Sequence, residues 1–592
     1  MKHYRASAWG RICTALTALY VLGGLAPIAQ AVGLPPSERV TINMGETPWK
    51  YIKDQDPATA MNVDFNDSAW LSVGIPYSAD QLDTFINTES GGGEGFLSGN
   101  TQWYRKHITL DAKYADRKVL VELEGAHTGV QVYINGHFIP SGTSALNPKA
   151  THVVGFLPVL VDLTKYLTID GKTDNVLAIR VAKNADWFEN PGFSGAFRFG
   201  QSDSGLFRPV KMYITDKVRI PPNVYAGSGT WGTYVATKSA DANSAQIEVQ
   251  TNVLNESTTA QNVTLTTQIV DATGKVVATA QDNKQIAANA GPGLTPQLFD
   301  QTLTVTKPTL WYPNNSIYGK PYMYKVFHTV SINGVVVDSV QSPLGIRTLT
   351  WDKDFPLING QRHFLWGGSG RYDYPALGTS VPEEQQWRDL QQMAAMGGNL
   401  WRPGHSSSST EFLDAADALG VFVVQPSGDG ENGFAAACTA PPCNRQIIKT
   451  ELHKEMIIRD RNHPSVLAWE ADNGATDTTF AQALAKLAKD TDYLAPRAQA
   501  DRTPNPDNGD ILGCTNQGCE VLTKQTYPQK PAWGSEYWGA GSARGAWDFE
   551  LAFAAPFLDS WRQGVAVNAF GMAQWYFADT PGESSIFNPQ NH

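Results

Sequence analysis

Two kinds of hydrophobic pattern divide the chain. From about residue 33 to residue 346, apolar and polar residues alternate along short stretches, as in "KVLVELEGAHTGVQVYINGHFI" and "NVTLTTQIVDATGKVVAT". A period of two, interrupted by Gly, Asn and Asp, is typical of half-buried strands joined by turns. The pattern therefore predicts two β-sandwiches, one over residues 32–218 and an immunoglobulin-like one over residues 219–346.

After about residue 347 the period changes. Apolar strands such as "HFLWGG", "NLWRPGH", "VFVVQPSG" and "VLAWEADN" now alternate with amphipathic helices such as "PEEQQWRDLQQMAAMGG". Four more strands follow, "RAQADRT", "VLTKQTYP", "AWGSEYW" and "NAFGMAQWYFAD". Strands alternating with helices predict a (β/α)8 TIM barrel over residues 347–592. The chain ends without an eighth helix, so we expect a barrel that is truncated after strand 8 or completed in another way.

The N-terminal residues have the features of a signal peptide. Lys2, Arg5 and Arg11 precede or enter an apolar stretch that ends in "AQA" at residues 29–31. We predict that residues 1–31 are cleaved and that the protein is periplasmic or secreted. An uncleaved anchor is the alternative. No later apolar run is long enough to span a bilayer, so we expect no membrane association after cleavage.

Four cysteines remain after the signal peptide: Cys438, Cys443, Cys514 and Cys519. An even number in an exported chain favours disulfides. Each close pair can form its own small loop, or the two pairs can cross, and the sequence leaves both arrangements open. The spacings are loose for zinc and no histidine lies nearby, so a metal site is not expected.

Composition narrows the possible partners. A chain of 592 residues is too long for one core and predicts several domains. Its net charge of −11, without a basic run, argues against nucleic-acid binding. Its 17 tryptophans include more rings than packing usually needs, and exposed rings are common on carbohydrate-binding surfaces. Most of them are expected to be ordinary core residues.

The chemistry of a TIM barrel lies at the carboxyl ends of its strands. The polar and aromatic residues at or just after the predicted strand ends are Arg402, His405, Asp429, Glu431, Glu470, Asp472, Asn473, Tyr527, Glu536, Trp575 and Asp579. Carboxylates and tryptophan rings around one barrel mouth suit glycosidic cleavage, in which rings stack on sugars and two carboxyl groups flank the bond.

Several segments, taken in order, resemble family 2 glycoside hydrolases, the family of β-galactosidases, β-glucuronidases and β-mannosidases. These segments are "WYRKHITL", "SGLFRPVKMYITD", "TLWYPNN", "FPLINGQRHFLWGG", "GGNLWRPGH" and "RDRNHPSVLAW". The resemblance implies that the first sandwich is a sugar-binding-like jelly roll. It also implies retaining hydrolysis of a terminal β-linked sugar from a carbohydrate substrate, with no metal or cofactor.

The resemblance also assigns site residues. Glu536, in "WGSEYW", matches the nucleophile, and a salt bridge at a strand end is the alternative interpretation. Arg402 and His405 match a pocket Arg and His, and Asn473 matches the Asn that bonds the sugar 2-hydroxyl. The other expected substrate-binding residues are Tyr527, Trp538, Trp575 and Trp366. Trp366 replaces an Arg found in much of the family, and it either stacks on sugar or caps the barrel floor.

Strand 4 departs from the family pattern. The family has a Glu acid/base directly after the Asn, but this chain has Gly474 there, which cannot donate a proton. Asp472 is one candidate for the acid, and Glu470 is another unless it is a buried partner of an arginine. A loop carboxylate such as Glu431 is a third. The remaining alternative is a non-catalytic or weakly active carbohydrate-binding relative.

Overall fold

The computed structural model describes residues 33–78, 101–127, 129–140, 150–153, 155–182, 205–289, 293–370, 377, 379–428, 444–471, 473, 477–516, 518–537, 550–575 and 577. The predicted signal peptide, Cys438 and Cys443 lie outside these ranges. So do the site candidates Asp472, Trp538, Asp429, Glu431 and Asp579, together with Gly474 and residues 578–592. In the part of the chain that is described, no helix is both long and apolar enough to cross a membrane.

The first domain is a sandwich of two antiparallel sheets. The four-stranded sheet has the order β1-β12-β6-β9 and the six-stranded sheet the order β3-β2-β5-β10-β7-β8, while β4 pairs with β11. The strands are β1 (Val40–Asn43), β2 (Trp49–Lys53), β3 (Leu71–Val73), β4 (Tyr77–Ser78), β5 (Thr101–Ile108), β6 (Lys118–Leu123), β7 (Gly129–Ile134), β8 (His137–Ile139), β9 (Val159–Asp162), β10 (Asn175–Ala182), β11 (Gly205–Leu206) and β12 (Val210–Thr215). Inward residues such as Val121, Ile179 and Met212 pack in the core between the sheets.

The second domain is another antiparallel sandwich. One sheet has the order β13-β15-β14 with β18 also paired to β15, and the other has the order β17-β16-β19-β20. Its strands are β13 (Val218–Arg219), β14 (Thr233–Ala240), β15 (Ser244–Asn255), β16 (Gln261–Val270), β17 (Val276–Ile286), β18 (Gln297–Thr306), β19 (Tyr324–Ile332) and β20 (Val335–Leu344). Along β18 buried and exposed positions alternate, as the period of two predicted. A small sheet of β21 (Leu349–Trp351), β22 (Pro356–Ile358) and β23 (Gln361–Arg362) leads into the barrel.

The third domain is an eight-stranded parallel barrel in which sequential strands are neighbours. Its strands 1–8 are β24 (Leu365–Gly370), β25 (Leu400–Pro403), β26 (Phe422–Pro426), β27 (Val466–Glu470), β28 (Ala498–Asp501), β29 (Ile511–Leu512), β30 (Trp533–Tyr537) and β31 (Gly571–Trp575). Every residue of β25, β26, β27, β28 and β30 is buried, because the barrel interior and the outer helices cover both faces. The predicted fold class, two sandwiches followed by a TIM barrel, is confirmed.

Helices follow the strands around the barrel. They are α1 (Glu383–Ala395), α2 (Thr410–Leu419), α3 (Asn444–Asp460), α4 (Thr478–Thr491), α5 (Cys519–Thr526) and α6 (Glu550–Ala566). Local sequence sets their ends: Ser409 accepts a hydrogen bond from the backbone N–H of Phe412 at the start of α2, and Gly420, with φ of 73°, ends that helix. Because Gly420 ends α2, the next strand, β26, begins two residues later at Phe422.

The prediction for strand 6 was wrong. The segment "VLTKQTYP" belongs largely to α5, and strand 6 is the two-residue β29. The buried residues of α5 are Glu520, Thr523 and Lys524, which are polar, whereas Leu522 is 67% exposed. A helix that buries polar side chains shows no apolar helical period. The β-branched residues of this segment therefore led to the prediction of a strand.

Contacts between domains hold the barrel against both sandwiches. Tyr234 of the second sandwich donates to Asp492 Oδ1 at 2.7 Å, and Arg208 of the first sandwich donates to the carbonyl oxygen of Ser407 at 2.7 Å. Ser407 lies in the loop after strand 2, so the first sandwich supports one side of the barrel mouth. The predicted domain boundaries at residues 218/219 and 346/347 stay predictions.

Candidate active site

Arg402 is the centre of a charged cluster at the carboxyl end of the barrel. Its fully buried guanidinium donates through Nε and Nη2 to Glu470 Oε1, at 3.0 and 2.9 Å. Nη2 also donates to Asn473 Oδ1 at 2.7 Å, and Nη1 donates to Glu536 Oε2 at 3.3 Å. One arginine on strand 2 therefore ties together the ends of strands 4 and 7.

Glu536 ends strand 7 among three basic groups. Its Oε2 lies 3.3 Å from Arg402, 3.7 Å from Arg502 Nε and 3.9 Å from His405 Nε2. The residue is 4% exposed, and its backbone N–H donates to the carbonyl oxygen of Cys514 at 3.3 Å. The two guanidinium groups fix the position of this carboxyl group at the end of strand 7.

His405 and Asn473 orient each other beside this carboxylate. Because Asn473 Oδ1 accepts from Arg402, its Nδ2 faces His405 Nε2, at 3.1 Å. An amide nitrogen can only donate, so this contact is a hydrogen bond when His405 Nε2 carries no proton. The His405 ring stacks on Trp575 at 5.2 Å between centroids and 3° between planes. Gly404 permits this approach, because a Cβ there would lie 2.2 Å from the Trp575 ring.

Glu470 is the second carboxyl group of the cluster. It is 1% exposed, and while Oε1 accepts twice from Arg402, Oε2 is buried without a hydrogen-bond partner among the described residues. Burial raises the pKa of Glu470 to about 6 despite the opposing charge of Arg402, and repulsion by Asp501 and Glu536 adds to the rise. The contact matches the interpretation as a buried arginine partner, and the pKa also permits a proton on Glu470 near neutral pH.

Asp501 and Arg502, at the end of strand 5, were not singled out from the sequence. Asp501 is buried, and Arg502 is 28% exposed on its side chain. Arg502 donates through Nε to Thr515 Oγ1 at 2.6 Å and through Nη1 to the carbonyl oxygen of Asn473 at 2.9 Å. The available signal was the pair "DR" at the end of the predicted strand "RAQADRT".

Two expected substrate-binding residues lie away from this cluster. Tyr527 follows the last residue of α5, and its backbone N–H donates to Thr523 at 2.9 Å. A barrel helix runs back toward the amino ends of the strands, so this position places Tyr527 on the opposite side from the mouth and does not support its assignment to the substrate site. Trp366 is the second residue of strand 1, and its backbone N–H donates to Asn399 Oδ1 at 2.9 Å. This position fits the alternative in which it caps the barrel floor.

Two groups of side chains among the described residues have the spacing of metal ligands. They are Cys514, Cys519 and Glu520, and Asp414, Asp417 and His463. The two sulfurs of the first group form a disulfide, so that pair closes its own loop rather than crossing to the other pair. In the second group Asp417 Oδ2 and His463 Nδ1 are 2.7 Å apart and bond to each other.

Two β-sandwiches followed by a TIM barrel, with glutamates gathered around an arginine at the mouth, form the arrangement that the resemblance to glycoside hydrolases implies. Residues 231–347 match the family model described as Glycosyl hydrolases family 2, and residues 351–499 match the model for the family 2 TIM barrel domain. The chain belongs to glycoside hydrolase family 2.

Individual relatives agree with this family. A β-glucuronidase of Formosa agariphila is 30% identical over 582 residues, covering 92% of this chain and 56% of the relative. A β-galactosidase of Bacteroides ovatus is 31% identical over 441 residues, covering 74% of this chain and 46% of the relative. The solved structure of a family 2 β-glucuronidase superimposes with a TM-score of 0.79 at 27% identity, covering 93% of this chain and 57% of that one. The chain thus spans about half the length of the curated relatives it matches.

Proposed function

We propose that the chain is an exported, retaining glycoside hydrolase that removes a terminal β-linked sugar from an oligosaccharide or polysaccharide. The observation that carries this proposal is the position of Glu536, at the end of strand 7 with Arg402 at 3.3 Å and Arg502 at 3.7 Å. The names of the relatives, β-glucuronidase and β-galactosidase, support a β-glucuronide or a β-galactoside as the substrate.

Glu536 acts as the nucleophile in this mechanism. Its ionised oxygen attacks the anomeric carbon while an acid protonates the leaving oxygen, which breaks the glycosidic bond and forms a glycosyl-enzyme ester. The deprotonated acid then removes a proton from water, which attacks the same carbon and releases Glu536. Two displacements retain the configuration, and neither requires a metal or a cofactor.

The surrounding residues prepare the first displacement. Arg402 holds Glu536 in place, while His405 and Asn473 present polar atoms toward the same space. The Trp575 ring, stacked on His405, supplies an apolar wall at the end of strand 8. Aromatic and hydrogen-bonding groups of this kind bind the face and the hydroxyls of a sugar ring.

Labelling tests the nucleophile. The variant Glu536→Gln should lose hydrolysis of aryl β-glucuronide or aryl β-galactoside while its thermal unfolding stays close to that of the wild type. A matching 2-fluoro glycoside should esterify Glu536, as peptide mass spectrometry will show. Glu455→Gln is the matched control. Glu455, on helix α3, is also buried, but its Oε2 lies 3.3 Å from His152 Nε2 and not in the cluster around Arg402. A label on another carboxylate would refute this role for Glu536.

The proposed acid/base is Asp472 or Glu470, and a loop carboxylate such as Glu431 is the third alternative. Protonation matters most for a poor leaving group, so replacing the acid by Ala should lower cleavage of a disaccharide by about 10²–10⁴-fold. The same variant should largely retain the first step on an aryl glycoside with an acidic phenol, and azide should restore turnover. Glu470 has the pKa for this role, about 6, while its pairing with Arg402 favours leaving proton transfer to Asp472.

A carbohydrate-binding protein without catalysis is the second candidate, because Gly474 replaces the family's acid/base. Under this alternative, isothermal titration would detect oligosaccharide binding, while neither the Asp472 nor the Glu470 variant would change a slow hydrolysis of activated glycosides.

Export is tested separately. Mature protein recovered from outside the cytoplasm should begin near Val32.

A further inference from the structure

The barrel closes between strands 6 and 7 in an unusual manner. Strand 6 is only two residues long, and just two isolated bridges join this region to strand 7, Leu512 with Ala532 and Thr515 with Glu536. Each of the other neighbouring barrel strands forms a ladder with the next, and the ladders of strands 3 and 4 and of strands 7 and 8 each contain a register shift. Glu536 is therefore positioned by residues that follow strand 6, not by a regular strand pair.

Three consecutive residues, 514–516, hold the backbone of strand 7 at this point. The carbonyl oxygen of Cys514 accepts from the backbone N–H groups of Ser535 at 3.0 Å and Glu536 at 3.3 Å, and from Ser535 Oγ at 3.0 Å. The backbone N–H of Asn516 donates to the carbonyl oxygen of Glu536 at 3.1 Å. Both backbone polar groups of Glu536 are thus bonded to this segment.

The same segment also positions a cation beside Glu536. Thr515 Oγ1 accepts from Arg502 Nε at 2.6 Å, and that nitrogen lies 3.7 Å from Glu536 Oε2. Movement of residues 514–516 would therefore displace both the Glu536 backbone and the neighbouring charge of Arg502.

The Cys514–Cys519 disulfide anchors the segment. It joins residues with a sequence separation of 5, and so short a loop adds little entropic stabilisation to the whole protein. Cys519 is the first residue of helix α5, and the next residue, Glu520, is buried against strand 7. A Cβ at Gly534 of that strand would lie 3.6 Å from Glu520 Oε2. The bond thus ties residue 514 to a helix packed on the strand that carries Glu536, so its main effect is local.

We propose that the Cys514–Cys519 disulfide is a positioning element of the active site, which keeps Glu536 and Arg502 in their reactive places through residues 514–516. The inference rests on the proposed function of Glu536. Reduction by dithiothreitol breaks the S–S bond and forms two thiols, while the reagent supplies two electrons and two protons and becomes a cyclic disulfide. Cys514 is buried, but Cys519 is partly exposed and is the sulfur that a reductant can reach.

The kinetic test is the double variant Cys514→Ser/Cys519→Ser. Small displacements of a reacting group cost up to about 10²-fold in rate, so kcat should fall by about 10- to 100-fold. KM should stay within about threefold, because the sugar-binding groups on strands 2 and 8 are not held by this disulfide. Reduced wild type should show the same loss, and reoxidation should restore kcat as the thiols of Cys514 and Cys519 disappear.

Variants of Thr515 separate the two ways in which residues 514–516 act on the site, through the backbone of Glu536 and through the side chain of Arg502. Thr515→Val removes the acceptor of Arg502 and should lower kcat, whereas Thr515→Ser keeps the hydroxyl and should recover most of it.

A measurement independent of catalysis distinguishes this inference from the proposed function. The amide hydrogens of Ser535 and Glu536 should exchange faster once the disulfide is reduced, because Cys514 accepts both. Unchanged exchange and unchanged kcat would overturn the positioning role. Faster exchange in a protein that cleaves no glycoside when oxidised would overturn the proposed function and leave the positioning role standing.

Discussion

The two ends of strand 4 carry buried charged groups of opposite character. At the amino end Asp417 uses both carboxylate oxygens, accepting from His463 Nδ1 at 2.7 Å and from the backbone N–H of Ser465 at 2.9 Å. At the carboxyl end Glu470 accepts twice on Oε1 from Arg402, while Oε2 is buried without a partner among the described residues. Both carboxylate oxygens of Asp417 are hydrogen-bonded, which suits a structural role. Glu470 Oε2 has no such bond within the described ranges and can contact a substrate.

Their protonation differs in the same way. Burial lowers the pKa of His463, but the charge of Asp417 and the hydrogen bond to it outweigh burial and raise the pKa to about 9. Burial raises the pKa of Glu470 to about 6, against the charge of Arg402. The His463 imidazole at the barrel floor therefore stays protonated at neutral pH, while the Glu470 carboxyl at the mouth changes its charge close to neutral pH. A group that changes its charge near neutral pH can transfer a proton, so we associate catalysis with Glu470 and not with His463.

The largest expected effect is on stability, at the barrel floor. Asp417→Asn leaves the buried imidazolium of His463 without its counter-charge, which should lower the free energy of unfolding by about 3–5 kcal/mol. Urea denaturation at pH 7 measures this loss, and kcat of the folded fraction should stay within about twofold. Asp414→Asn is the control, since Asp414 is 55% exposed and 3.9 Å from His463, and it should cost about 1 kcal/mol or less. A variant with normal stability but no activity would break the comparison.

At the mouth the corresponding change should affect activity. Arg402→Met removes the charge shared by Glu470 and Glu536, and kcat/KM should fall by about 10²–10³-fold. Arg347→Met is the matched control, because Arg347 is also buried but donates to Pro464 and Val466 carbonyl oxygens at the floor, at 2.6 and 3.0 Å. It should lose stability while keeping kcat. Equal loss of kcat in both variants would show that the two ends are not functionally distinct.

The pH dependence of stability should separate the two ends. A raised pKa means that the folded state holds the proton more tightly than the unfolded state. The contribution of His463 is thus complete below pH 6.5 and is lost as pH rises through about 9. That of Glu470 is complete below pH 4.5 and is lost as pH rises through about 6, on the order of 1–2 kcal/mol.

Glu470→Gln should flatten only the lower window of the stability profile, and Asp417→Asn only the upper one. Urea denaturation at a series of pH values provides both profiles. A profile in which Glu470→Gln changes nothing between pH 4.5 and 6 would contradict the raised pKa.

The smallest effect is expected at the end of helix α5. Tyr527→Phe should change kcat/KM by less than about twofold, because the residue lies on the floor side of the barrel. Steady-state kinetics on the aryl glycoside that the wild type cleaves measures this change. A large rise in KM would return Tyr527 to the substrate pocket and contradict its placement.

Periodicity predicted most of the fold because the barrel strands are buried on both faces and read as apolar runs. It failed at β29, which is two residues long, and at α5, whose buried side is polar. Arg402, His405 and Glu536 were accessible as polar residues at strand ends and through the family resemblance. Arg502 was not singled out, because the pair "DR" at the end of a predicted strand does not by itself indicate a site, and only the approach of Arg502 to Glu536 makes it notable.

The sequence by itself determined the class of each domain, since local hydrophobic periods and turn residues depend only on neighbours along the chain. Through the family resemblance it also led to the interpretation that Gly474 stands where the family has its acid/base Glu. Only the tertiary structure decided that Glu470 pairs with Arg402, that His405 stacks on Trp575, and that Cys514 holds Glu536. These contacts join different strands, and their distances and burial arise only when the barrel closes. A carboxyl group's pKa depends on those distances and on that burial, so no local pattern can reveal it.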